Sequence, residues 1–301
     1  ARVLLLAAPA GFGKTSALVA LAQAREQSGQ AVVWLSLGPG DDEPARFLLQ
    51  LIEALSPLLP GFGAEALAYL QNTMRVPVAA VMESLLVDLA RLETPLLLVL
   101  DDLHLIQDAE LLSALNRLIK FAPKGFTLAI GSRSQPALNL ATLRAKDLLV
   151  EIGEQELRLS KVETRDYLQR CGLQLDAVAF SALYSQTEGW MVGVHLASLW
   201  LRHQPQAGAQ IADMGTDQAA VGAYLLCSVF EQLPADKQEL LLALGVAQQL
   251  SGDLANALTG RPDGQQLLEE LEAMQLFLLP LDCERQWYRF HNLFAEFLRC
   301  R

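Results

Sequence analysis

The stretch Ala8-Pro9-Ala10-Gly11-Phe12-Gly13-Lys14-Thr15-Ser16 follows directly on the apolar run Val3-Leu4-Leu5-Leu6. No other feature constrains the fold as strongly. The apolar run reads as a strand buried on both faces. Two glycines then free the backbone for conformations that other residues avoid. A lysine and two hydroxyl residues introduce what reads as a helix over Thr15–Glu26. Strand, glycine-rich loop and helix N-terminus in this order aim backbone amides at one point, a cradle for an anion. The stretch fits G-x-x-x-x-G-K-[ST] with Ala8 in the first place. In such a cradle Ala10, Gly11, Phe12, Gly13, Lys14, Thr15 and Ser16 surround the phosphates of a nucleotide. Lys14 reaches the β- and γ-phosphates, and Thr15 offers its hydroxyl to Mg2+. Taken alone, the loop is also compatible with a flexible strand-to-helix turn; its context argues for the cradle.

That context includes Leu96-Leu97-Leu98-Val99-Leu100-Asp101-Asp102. A buried strand ends in two carboxylates, at the end of the sheet where open α/β folds bind ligands. Asp101 is placed to hold Mg2+, directly or through water. Asp102 either orients the attacking water or caps the following turn. Aspartate is a methylene shorter than glutamate, so hydrolysis is expected to be slow. A third strand ends in Ile130-Gly131-Ser132-Arg133. Arg133 there either reports on a γ-phosphate or is a surface arginine. The candidate catalytic residues are therefore Lys14, Asp102 and Arg133, and the candidate metal ligands are Thr15 and Asp101.

The remaining pattern sets the organisation. Candidate strands at Val3–Ala7, Ala31–Leu37, Leu96–Leu100, Phe126–Gly131 and Leu148–Ile152 each read as buried on both faces. They alternate with amphipathic helices at Thr15–Glu26, Glu43–Leu55, Val78–Leu92 and Asp108–Phe121. This predicts an α/β P-loop fold with a parallel sheet over residues 1–152. Beyond it the chain turns helical. Ser160-Lys161-Val162-Glu163 is a capping box, with further helices at Asp176–Ser185 and Trp190–Arg202 and a polar loop over His203–Thr216. We read 153–217 as a helical domain with its linker. Helices followed by a hairpin, Leu276–Leu281 and Gln286–Phe290, make 218–301 a winged-helix domain. That last segment carries six Lys and Arg against eleven Asp and Glu, and the whole chain has a net charge of −11. Such a surface repels phosphate backbones, so this segment is not expected to bind DNA directly. The four cysteines of the whole chain lie far apart, without the spacing of a zinc site or a disulfide framework. No apolar run is long enough for a membrane span and no secretion signal is evident, so a cytoplasmic location is expected. Both ends look cut, as in a piece of a longer protein.

In this order and spacing, these motifs resemble the nucleotide-binding core of the signal-transduction ATPases with numerous domains (STAND). Within them the chain is most similar to the large LuxR-type transcription activators of the MalT kind. The resemblance is carried by the glycine loop, Trp34-Leu35-Ser36-Leu37 with Asp41-Asp42 and Arg46-Phe47, and Asp101-Asp102-Leu103-His104. It continues through Ser132-Arg133, Leu143-Arg144 with Glu151-Ile152, Glu188-Gly189-Trp190 and Tyr288-Arg289-Phe290-His291. It implies a switch that binds ATP or ADP with Mg2+, with an ADP-locked resting form and an ATP form that self-associates. It places Trp190 near the adenine and His291 at the β-phosphate of ADP, while His104 braces the acidic motif. Inducer-sensing and DNA-binding domains would lie in the missing C-terminal part of the parent. The alternative is a ring-forming, work-producing ATPase of the AAA+ kind.

Overall fold

Apolar runs become parallel strands when helices cover both faces of the sheet they form. The computed structural model describes residues 2–72, 77–203, 223, 226–227, 229–231, 233–274, 276–282, 284–290 and 292–301. They divide into two units, Ala1–Leu157 and Arg158–Arg301. In the first, β1 (Val3–Ala7), β2 (Ala31–Ser36), β3 (Leu96–Asp101), β4 (Phe126–Ser132) and β5 (Leu149–Ile152) form one sheet. Its order is β2-β3-β4-β1-β5, parallel throughout. The helices are α1 (Lys14–Gln27), α2 (Pro44–Leu55), α3 (Ala64–Asn72), α4 (Val78–Leu89), α5 (Ala109–Phe121), α6 (Leu140–Ala145) and α7 (Glu154–Leu157).

The two-residue period of the strands sorts the core into two layers. Leu96, Leu98 and Leu100 of β3 join Leu5 and Leu128 against Phe47, Met82 and Leu115 of α2, α4 and α5. Leu97 and Val99 point the other way and join Leu6 and Ala129 against Leu18 of α1. Because β4 lies between β1 and β3, the glycine loop and the acidic motif leave the sheet at the same end, one strand apart.

The expected elements form with small shifts. Two-sided burial holds for β3, which is buried at every position. It fails for β2 and β5, whose residues are mostly half-buried or exposed because each is an edge with one neighbour. The helix read over Val78–Leu92 stops at Leu89. Three short helices, α3, α6 and α7, were not anticipated; α3 follows Gly61 and Gly63, both at positive φ, which disguise its start as loop.

The second unit contains α8 (Lys161–Arg170), α9 (Ala177–Thr187), α10 (Met191–His203), α11 (Ala235–Leu244), α12 (Gly252–Thr259), α13 (Gly264–Ala273) and α14 (Asn292–Arg299). The capping box at Ser160 and Glu163 is present in both directions. β7 (Leu278–Pro280) and β8 (Trp287–Phe290) pair antiparallel as the expected hairpin, with Leu278 opposite Phe290. A two-residue strand, β6 (Leu250–Ser251), adds to β8. The Phe294 ring packs against Phe277 and Phe290, with centroids 5.2 Å and 5.6 Å away. The polar loop beyond His203, Cys283 and His291 lie outside the described residues. Among the described residues no helix is long and apolar enough to cross a membrane.

Leu98, fully buried at the centre of the sheet, should be the costliest kind of truncation. Leu98→Ala is expected to lower unfolding free energy by about 2–5 kcal/mol, measured by denaturant titration.

Candidate functional site

The glycine loop takes the form its sequence calls for. Gly11 and Gly13 adopt φ of 84° and 78°, a region that residues with a Cβ enter at a cost. Gly13 is the N-cap of α1, contributes no capping side chain, and is followed by no acidic residue in the first turn. The positive end of the helix is thus free of a competing carboxylate of its own. Phe12 is buried and Ala10 half-buried, while Ser16 is exposed. Lys14 is only 7% exposed. Its ammonium folds back over the loop and donates to the carbonyl oxygens of Ala8 and Pro9, at 2.7 Å and 2.8 Å.

The acidic motif meets this loop directly. Thr15 Oγ1 donates to Asp101 Oδ2 at 2.8 Å, although 86 residues separate them. Asp101 is fully buried, and its Oδ1 accepts from the Asp102 amide at 3.1 Å. Gly131 of β4 makes room for that carboxylate. A Cβ at Gly131 would overlap Asp101 Oδ1 and stand 2.9 Å from Leu18 Cδ1. Sequence reading passed over Gly131, since its only signal is a small residue near the end of a strand. Asp102 turns the chain sharply with φ 62° and is buried. Arg133 follows the end of β4 and is half-buried.

The charges form one cluster. Burial lowers the Lys14 pKa; Asp102 and Asp101 oppose that shift, and Arg133 adds to it. His104 lies in the same field. Burial lowers its pKa, Asp102 opposes, and Arg133 and Lys14 lower it further. Its Nδ1 stands 3.8 Å from Asp102 Oδ1, too far for a hydrogen bond. His104 therefore lies beside the acidic motif without a hydrogen bond to Asp102.

Lys14, Thr15, Asp101, Asp102 and Arg133 are thus brought together at one end of the sheet. Trp190 belongs to the second unit, where it is 4% exposed and opens α10. Residue 189 before it must be small: a Cβ at Gly189 would overlap the Leu159 carbonyl oxygen, and the Leu159 amide donates to Gly189 O at 2.9 Å. The pair singled out as Arg144 and Glu151 forms a two-pronged ion pair joining α6 to β5, both contacts 2.8 Å. The donor set at the loop fits a magnesium polyphosphate. A hydroxyl and a carboxylate oxygen suit a hard cation, and the buried Lys14 ammonium belongs to the same charge cluster.

Residues 226–301 match the family model for the MalT winged helix domain. The chain is 33% identical, over its whole length, to the HTH-type transcriptional regulator MalT of Yersinia enterocolitica, and equally to that of Yersinia pestis. It spans about a third of the length of these curated relatives (33%). In structure it is similar to a STAND protein with a tetratricopeptide repeat sensor from Pyrococcus horikoshii. The TM-score is 0.66 at 18% identity, covering 99% of this chain and 40% of that one. The chain is MalT-like, with the fold of a STAND protein. The parallel sheet and the glycine loop lie in the described residues, and the winged-helix match spans 226–301.

A histidine held below its ordinary pKa of 6.5 resists protonation in the folded state, while the unfolded chain accepts the proton. The stabilising effect of neutral His104 is therefore complete above pH 6.5 and lost as pH falls below it. Replacing His104 by Gln is expected to flatten the loss of stability between about pH 6.5 and 5, read from denaturant midpoints across that range.

Proposed function

We propose that this MalT-like chain is the nucleotide-responsive switch of a larger transcription regulator. The observation that carries the reading is the convergence of a buried Lys14, the Gly11 and Gly13 turn, and the Thr15–Asp101 hydrogen bond at one sheet end. Amides at the start of α1 bind the phosphates of ATP or ADP. Lys14 neutralises their charge, and Arg133 responds to the terminal phosphate. Thr15 and Asp101 hold Mg2+, which supplies charge neutralisation at the phosphates. Asp102 orients water, and its short side chain keeps hydrolysis slow. ADP holds the resting form and ATP supports self-association. The two relatives carry the name of a transcription regulator, and the structural neighbour is described as having a sensor. By analogy, sensing and DNA binding belong to the parent protein, and an acidic segment of net charge −11 does not bind DNA itself.

Lys14→Ala is expected to weaken ATP binding at least tenfold, as befits loss of a charge-assisted contact worth about 1.5–3 kcal/mol. Calorimetric titration measures it, and unchanged affinity would remove the glycine loop from the function. Trp190 and His291 enter from sequence resemblance. His291→Ala is expected to speed ADP release in stopped-flow experiments with a fluorescent ADP analogue; an unaltered off-rate would strike His291 from the switch.

A further inference from the structure

The sequence Gly38-Pro39-Gly40-Asp41-Asp42, between β2 and α2, has no role in the nucleotide site proposed above. Its two carboxylates bind in different directions. Asp41, 2% exposed, closes its own loop. Its Oδ2 accepts from the Gly38 amide at 2.6 Å, and its Oδ1 from Gln50 Nε2 at 3.0 Å and Arg46 Nε at 2.7 Å. Asp42 reaches out of the loop. Its Oδ1 accepts from the successive amides of Gln107 and Asp108, at 2.7 Å and 2.8 Å. Asp108 in turn caps α5 through the Leu111 amide at 2.9 Å. The same loop is tied to the acidic motif at its other end, where the Leu37 amide donates to Asp101 O at 3.0 Å.

Asp102 depends on such ties. Its φ of 62° and ψ of 35° place it in the left-handed region, which aspartate enters more readily than most residues but still at a cost that fixed surroundings offset. On the upstream side β3 is hydrogen-bonded to β2 and β4. On the downstream side Leu105 N donates to Asp102 O and Ile106 N to Leu103 O, both at 3.0 Å. Leu103 and Ile106 are buried in the core beneath. The next two amides are the pair that Asp42 holds. A single carboxylate therefore joins the end of this turn to a segment 65 residues earlier.

We infer that Asp42 is a positioning residue that clamps the 102–108 turn and thereby sets the place of the Asp102 carboxylate. This inference rests on the nucleotide reading above. Asp42 touches no substrate; it acts on Asp102 through the backbone. Asn at this position keeps the accepting oxygen, and Ala removes it.

The experiment compares the full chain with its Asp42→Ala and Asp42→Asn variants. Amide hydrogen exchange is measured without nucleotide. ATP affinity and the single-turnover hydrolysis rate are measured with Mg2+. In Asp42→Ala, protection at Gln107 and Asp108 is expected to fall at least about tenfold, as for loss of bonds to a charged acceptor. Single-turnover hydrolysis should slow by about tenfold while the ATP Kd moves less than about threefold, the pattern of a contribution confined to the reacting state. Asp42→Asn should retain protection and most of the rate. Unchanged protection in Asp42→Ala would overturn the inference, and so would lost protection with an unaltered rate. A wild-type chain that fails to bind or turn over ATP would instead overturn the nucleotide reading. Exchange at Gln107 and Asp108 would then decide the clamp by itself.

Discussion

The hydrogen bond from Thr15 to Asp101 is the contact on which the site depends. It links the first turn of α1 to the end of β3 at 2.8 Å, across a sheet in which β4 separates the two strands concerned. The contact requires β4 to be thin at that point, and Gly131 makes it so. Any larger residue there would collide with the carboxylate or with Leu18. Burying Asp101 completely is tolerable because it accepts hydrogen bonds from the Thr15 hydroxyl and the Asp102 amide, and buried carboxylates without such donors are costly. One glycine thus allows a strand crossing, a buried charge and a loop geometry together.

Around that contact the site balances charge. Lys14 and Arg133 repel one another, Asp101 and Asp102 attract Lys14, and burial disfavours its ammonium. The Ala8 and Pro9 carbonyls hold the ammonium in place. An arrangement of this kind is sensitive to added negative charge, because an anion at the loop would relieve the repulsion between the two cations. This is the physical basis for reading the site as responsive to phosphate.

Much of this was legible in the sequence. β3 announced itself because both of its faces are covered, so all six of its residues are buried, and the capping box at Ser160 is a local rule obeyed locally. The P-loop form and the acidic motif followed from residue types at fixed spacing. What stayed hidden depends on strand order. Nothing in residues 126–132 says that β4 lies between β1 and β3, and so nothing reveals why Gly131 must be small. The bond from Asp42 to Gln107 and Asp108 is equally invisible, since it joins loops that are adjacent only after the sheet forms. The edge strands were misread because an apolar run does not say how many neighbours it will have. The winged helix was legible from helices followed by a hairpin, although its hairpin strands span only three and four residues, and the family match covers 226–301.

A crystal structure of this chain grown with Mg2+ and an adenine nucleotide tests the central claim most directly. The account predicts phosphates against the backbone amides of residues 11–16, with the metal bound by Thr15 and Asp101. Nucleotide bound elsewhere, or Lys14 still bonded to the Ala8 and Pro9 carbonyls at saturating nucleotide, would contradict it.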